Sequence, residues 1–342
     1  MIPNMPHTIA EEPVMKRAGM ILFWLALSST PSLAWNEYGH MAVAALAWDR
    51  LSDRPEIQAK ITALLIKNPL YETWTDGVSG DIRDKVGFMM AATWADIIKR
   101  DHQHIADGAA GSHGDRPAGT PDDSRNIGYS DNFMHKYWHF IDQPFSPEES
   151  SPDDTRLPEP EKPNVQTRIA DFRATLSPNS GVTDEVRSYD LTWLLHLVGD
   201  VHQPLHASSR FTRDQPDGDD GGNRVKIKCG PRTPQVSCHA AELHAFWDDV
   251  LGPSNATPES VIDAEADFPD PNPTLAAIAD EKVWMKESFD KAQEVVYVQP
   301  IGVEDKTYNL TKAYKENAFL VAQERVSLAA ARLANLLADA LR

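Results

Sequence analysis

Thiols are nearly absent from this chain: Cys229 and Cys238 are its only cysteines in 342 residues. A structural zinc site of the thiolate kind is excluded, because it needs up to four ligands and no partners stand at the usual offsets. Gly230, Pro231 and Pro234 lie between the two, so the spacing suits a disulfide that closes a short loop or hairpin. Basic charge is scarce as well. Lys and Arg number 33 against 51 Asp and Glu, for a formal charge of −18. That balance excludes a broad basic surface for gripping phosphates. An anionic substrate must then be held locally, and bound metal cations are one source of the charge required. Long apolar runs are missing too, and the run over 20–27 is too short to be a convincing membrane span. Nothing repeats at a fixed period.

The N-terminus has the three parts of a secretory leader. Lys16-Arg17 precedes the apolar run, and small residues follow at Ser32 and Ala34. This predicts a signal peptide over 1–34, cleaved after Ala34, and a secreted or periplasmic product. Met15 serves as an alternative start. An uncleaved membrane anchor is the competing reading, and it would leave no free α-amine at Trp35. Removing the leader keeps the charge at −18, since Glu11 and Glu12 balance Lys16 and Arg17. Residues 35–342 show no dividing linker and read as one large domain.

Most of that domain has apolar residues at helical spacing. Helices are predicted over 35–51, 57–66, 88–98, 165–176, 189–201, 240–250, 275–295 and 308–341. Only 224–229 alternates like a strand. The segments 101–131 and 143–163 are rich in Gly, Asp, Ser, Pro or Glu and read as surface loops. The expected fold is therefore all-α.

Within the helices, His196 and Asp200 stand four apart and share a face, and His244 and Asp248 repeat the spacing. One such pair alone reads more readily as a helix-surface salt bridge, since such pairs are common. Two pairs on apolar helices, with His206 just past Pro204, need a compensating cation. Asp96, His139 and the Trp35/His40 terminus complete nine candidate ligand residues. That is too many for one four-coordinate ion and points to a cluster. Nitrogen and carboxylate ligands without thiolate suit zinc.

These pieces resemble the secreted zinc-dependent single-strand nucleases of the S-one/P-one type. The resemblance rests on Trp35-x4-His40, Trp94-Ala95-Asp96 and His139-Phe140-Ile141-Asp142. It continues through His196-x3-Asp200-x-His202-Gln203-Pro204-Leu205-His206, Gly221-Gly222-Asn223 and Leu243-His244-x-x-Trp247-Asp248. They stand in the family's order and span nearly all of 35–342. The resemblance implies a single helical domain around three zinc ions, with a short β-hairpin or loop near the cysteine pair. Asp96, His139, His196 and Asp200 would hold the first ion, and His206, His244 and Asp248 the second. The third would take the Trp35 amine and carbonyl, His40 and the other oxygen of Asp200. The implied activity is hydrolysis of single-stranded DNA and RNA, and of 3′-nucleotides, by a zinc-activated hydroxide that leaves 5′-phosphates. Asp96 would orient the water or take its proton.

Phe140 and Asp142 would stack on a base and hydrogen-bond its edge, although Phe140 reads equally as a core aromatic. Lys99 stands where the family often has a basic group that stabilises phosphate charge; its other reading is an exposed helix Lys. Substrates would be single-stranded nucleic acid and nucleotides, and the protein a monomer without a stable protein partner. Bacterial zinc phospholipases C, which share the fold type and a three-zinc cluster, give the alternative of a phospholipid substrate or a dual activity. A non-catalytic zinc binder is the reading from another class, opposed by the open position that three ligands leave on the second ion.

Overall fold

The computed structural model describes residues 35–106, 126–147 and 157–342, with Met1. The leader, much of the predicted loop 101–131 and part of 143–163 lie outside the described residues. The rest belongs to one unit, Pro31–Arg342. Among the described residues there are twelve α-helices. They are α1 (Glu37–Arg50), α2 (Pro55–Leu65), α3 (Tyr71–Trp74), α4 (Arg83–Ala91), α5 (Trp94–Ile97) and α6 (Val165–Thr175). After these come α7 (Asp184–Asp200), α8 (Leu243–Asp249), α9 (Pro258–Asp263), α10 (Pro273–Ala276), α11 (Glu281–Lys291) and α12 (Lys312–Ala340). None is long and apolar enough to cross a membrane.

The axis of the fold is α7, buried on every side from Ser188 to Asp200 and packed against α1, α2, α5, α6 and α12. A helix enclosed in this way is apolar all round. It begins at Asp184, five residues before the predicted start, because Thr183 caps it by accepting from the Val186 N–H. Gln203-Pro204 ends it, since Pro cannot extend a helix.

Sheet is minimal. β1 (Pro144–Phe145) pairs in parallel with β2 (Ser209–Arg210), and β3 (Ile227–Lys228) with β4 (Tyr308–Asn309). The predicted strand 224–229 thus contains β3. Residues 240–242 are extended rather than helical, and Lys226 forms an antiparallel bridge with Glu242. Cys229 and Cys238 are joined inside the loop that this bridge closes, with Cα atoms 5.6 Å apart.

Two predicted helices are interrupted, and each break frees carbonyl groups for side chains. The stretch 88–98 divides into α4 and α5 at Ala92-Thr93. The Asp96 N–H turns to the Thr93 carbonyl, and the Ala92 carbonyl accepts instead from His196 Nδ1 at 2.7 Å. The stretch 275–295 divides into α10 and α11, with Asp280 capping α11 through the Lys282 N–H. The Leu275 carbonyl then accepts from Arg332 of α12. The short helices α3 and α9 lack a readable period, and 308–309, predicted as helix, form β4 before Thr311 caps α12.

Asp190 is buried on α7, and burial raises its carboxyl to about 6 despite hydrogen bonds from Thr175 and Asn126. A carboxyl raised on folding holds its proton more tightly in the native state, so its contribution to stability grows as pH falls from about 6 toward 4. Asp190→Asn should therefore exceed wild type in unfolding free energy by about 2 kcal/mol more at pH 7.5 than at pH 4.5. Urea titrations of the zinc-supplied protein at both pH values check this. A difference that does not change with pH contradicts it.

Candidate metal centre

Three buried groups converge on the C-terminal half of α7: His40 with His196 and Asp200, Asp96 with His139 and His196, and His206 with His244 and Asp248. In each group, ligand atoms from the three residues lie within 4.8 Å of one another. The two i,i+4 pairs come from α7 and α8. α1 delivers His40 and α5 delivers Asp96. His139 follows the 3-10 turn Lys136–Trp138, and His206 lies in the turn Pro204–Ala207.

Asp200 sits between two of the groups. One of its oxygens, Oδ1, is 3.3 Å from His40 Nε2. The other, Oδ2, is 3.0 Å from His139 Nδ1 and 3.3 Å from His196 Nε2. His196 Nε2 also lies 3.0 Å from His139 Nδ1 and 3.6 Å from Asp96 Oδ1. The His40 and His196 rings stack with centroids 3.7 Å apart. Both approaches need glycine: a Cβ at Gly199 would stand 2.9 Å from His40 Nδ1, and one at Gly39 only 2.6 Å from Trp35 Cβ.

Backbone carbonyls decide which ring nitrogens carry protons. His196 Nδ1 faces the Ala92 carbonyl at 2.7 Å, His206 Nδ1 the His139 carbonyl at 2.7 Å, and His244 Nδ1 the Gly221 carbonyl at 2.6 Å. A carbonyl only accepts, so all three Nδ1 atoms donate and their Nε2 atoms present lone pairs. His206 Nε2 and His244 Nε2 then face each other at 3.0 Å. Two lone pairs cannot hydrogen-bond. Either one ring gains a proton or a cation stands between them. Burial works against the proton, taking His244 to about 4 and His206 well below the usual histidine range.

The remaining groups meet the same constraint. Burial lowers His196 to about 4, raises Asp200 to about 7 and holds Asp248 well above the usual carboxylate range. Burial also pushes Asp96 upward, but Lys99 and the neighbouring histidines overcome it and leave Asp96 at about 2. Asp96 Oδ2 and His139 Nε2 are buried without a hydrogen-bond partner. Divalent cations would reverse these preferences by charging the carboxylates and keeping the imidazoles neutral. The donor set, five histidines and three aspartates without thiolate, fits zinc.

Lys99 is buried, not an exposed helix residue; its Nζ lies 2.6 Å from Asp96 Oδ1. Trp35 is fully buried beside His40 and Gly199, and Asn36 fixes it there. The Asn36 N–H donates to the Asp248 carbonyl, and its side-chain amide donates to Asp249 Oδ1 at 2.9 Å and the Gly252 carbonyl at 2.6 Å. Phe140 is half-buried against the core and, with Asp142, lines a cavity of ≈ 390 Å³. Tyr137, Phe211, Glu159 and Asp217 line it as well. His135 joins none of the groups: it stacks on Trp138 and pairs with Asp131 at 2.8 Å.

Sequence reasoning assigned no role to the residues that orient the ligands. Gln203 Nε2 donates to Asp248 Oδ1 at 2.7 Å, and its Oε1 accepts from the Leu205 N–H. Its place inside the His196-to-His206 motif was the available signal. The carbonyls of Ala92, His139 and Gly221 leave no mark on side-chain identity.

Metal binding should displace protons. Burial raises the metal-free Asp200 to about 7, so zinc uptake at pH 6 should release about one proton more from wild type than from Asp200→Asn. Titration calorimetry in buffers of different ionisation enthalpy measures this number. Equal release by the two proteins at pH 6 contradicts the assignment of Asp200 as a ligand.

The description S1/P1 Nuclease belongs to the family model that matches residues 35–342. Endonuclease 4 of Arabidopsis thaliana is 30% identical over 91 residues, which is 25% of this chain and 26% of the relative. The chain thus aligns with about a quarter of that relative's length. Because the family model extends across every element that contributes to the three groups, the chain belongs to the S1/P1 nuclease family.

Proposed function

We propose that this protein is a secreted or periplasmic zinc-dependent hydrolase that cleaves single-stranded DNA and RNA to 5′-phosphate products and releases phosphate from 3′-nucleotides. The observation that carries this reading is the set of three buried His/Asp groups, one of which contains His139, whose next residue, Phe140, lines the ≈ 390 Å³ cavity. Asp96, His139, His196 and Asp200 would hold one zinc ion, and His206, His244 and Asp248 a second. His40, the second Asp200 oxygen and the Trp35 amine and carbonyl would hold a third. Processing after Ala34 creates that amine.

Bound zinc supplies Lewis-acid charge and brings the pKa of water toward about 7. The chain's own residues do the rest. Asp96 Oδ2, lacking a hydrogen-bond partner, takes the proton of the attacking water. Water oxygen bonds to phosphorus, the bond to the 3′-oxygen breaks, and that oxygen leaves with a proton as a hydroxyl. Lys99, held beside Asp96, offsets charge that builds on the phosphate. Phe140 stacks on the base, and Asp142 accepts from its edge. Paired bases present no free face, which gives preference for single strands. The protein acts as a monomer.

A second reading has one supporting observation. Among the described residues, Asp142, Glu159, Glu161 and Asp217 line the cavity without any Lys or Arg, a setting that also suits the cationic headgroup of a phospholipid.

An end-labelled single-stranded oligonucleotide, given to zinc-loaded protein beginning at Trp35, tests the proposal. Chelator-sensitive cleavage to 5′-phosphate ends is expected. Asp96→Asn should fold and lose about 10²-fold or more in kcat. Residues added before Trp35 should remove one zinc ion and most activity. A zinc-loaded protein that spares oligonucleotides and 3′-nucleotides but cleaves phosphatidylcholine would establish the second reading instead.

A further inference from the structure

Behind the ligand turn lies a buried charged network that takes no part in the chemistry above. Asp200 ends α7 and His206 lies in the next turn, so residues 201–205 set how two ligand groups face each other. The backbone there leaves helical pairing, and its carbonyls need other donors. Side chains of α11 and α12 supply them. Ser288 Oγ donates to the Val201 carbonyl at 2.5 Å, and Arg325 Nε donates to the His202 carbonyl at 3.1 Å. Arg325 also donates to Ser288 Oγ at 2.7 Å, which leaves the Ser288 proton for Val201.

The His202 side chain is held just as firmly. Arg332 Nη1 lies 2.9 Å from His202 Nε2, and His202 Nδ1 lies 2.7 Å from the Val198 carbonyl. Guanidinium groups only donate, so Nε2 presents its lone pair to Arg332 and Nδ1 carries the proton. His202 is therefore fixed in one tautomer and one orientation, facing away from the ligand groups. Glu287 accepts from both terminal nitrogens of Arg332, at 2.7 and 2.8 Å, and from Arg325 at 3.3 Å. Arg332 reaches the Leu275 carbonyl too, and its guanidinium lies 5.5 Å over the Trp284 ring. His202, Ser288, Arg325 and Arg332 are all buried.

A purely packing role would not need this arrangement. Apolar side chains fill such volume without the cost of burying two guanidinium groups. What the network provides is directed hydrogen bonding to the two residues that follow Asp200: the arginines bond to His202, and Ser288, held by Arg325, bonds to Val201. We infer that Arg332 and Arg325, with Ser288 and Glu287, are positioning residues that hold the 201–206 turn, so that His206 meets His244 and Asp248 while Asp200 stays with the other groups. The inference rests on the metal-centre reading above. It adds that affinity for metal at the His206 group is set from α11 and α12, by residues that touch no ligand side chain.

The α7 ligands are held by their own helix, whereas His206 depends on the turn. Loss of the network should therefore weaken one site far more than the others. Zinc competition against a chromophoric chelator measures this in wild type, Arg332→Met, Arg325→Met and Ser288→Ala. Ile61→Ala on α2, a buried core truncation remote from the turn, controls for lost stability. The arginine variants should release one zinc ion with about 10- to 100-fold weaker affinity, the range for groups that orient metal ligands. Ile61→Ala should keep all affinities at a similar fall in Tm. Arg332→Lys, which keeps a donor near His202, should recover part of the loss. If the arginine variants do not fold, Ser288→Ala decides alone, with a smaller loss at the same single site. Unchanged affinity in the folded variants overturns the inference, as does a loss shared equally by every site or matched by Ile61→Ala. Wild type that binds no zinc overturns the metal-centre reading and this inference together.

Discussion

Imidazole lone pairs facing each other in a buried interior are the constraint around which this structure is organised. His206 and His244 approach at 3.0 Å through nitrogens that carry no proton, and His139 and His196 meet as closely. Nothing in the surrounding Leu, Val and Trp side chains can relieve that arrangement. Protonating a ring would require charge in a setting that expels it. Cations would resolve the conflict, and the three buried His/Asp groups bring together side chains that could hold them.

The placement depends on main-chain carbonyls more than on side-chain pairs. Each of three histidines donates one ring nitrogen to a carbonyl, and so turns the other toward the centre. Those carbonyls are available because the local backbone is irregular: a break between α4 and α5 at Ala92, a turn at His139, a left-handed glycine at Gly221. Regular helices supply the ligand spacing, and interruptions supply the orientation. The long helix α12 extends the same logic outward, since its arginines satisfy the backbone where α7 stops.

Much of this was legible in the sequence. The pairs His196/Asp200 and His244/Asp248 could be read because the period of a helix puts positions four apart on one face, whatever the fold around them. The cysteine pair was legible from its loop spacing. The starts of α7 and α12 were not, since both depend on threonine caps that hydropathy does not register. The breaks at Ala92-Thr93 and before Asp280 were hidden inside apolar periods that look continuous, because tertiary hydrogen bonds from His196 and Arg332 stabilise them. Lys99 shows the same limit: its burial follows from pairing with Asp96 inside the fold, and residue type alone favours the surface. Phe140 was ambiguous between core and cavity, and its side chain belongs to both.

Crystals of the zinc-supplied protein beginning at Trp35 test most directly whether the three groups hold metal together. Anomalous-difference maps on either side of the zinc absorption edge should show three zinc peaks. One should lie between Asp96, His139, His196 and Asp200, one between His206, His244 and Asp248, and one between His40, Asp200 and the Trp35 terminus. A map with no zinc at His206 and His244, or with zinc only at surface carboxylates, would contradict the account.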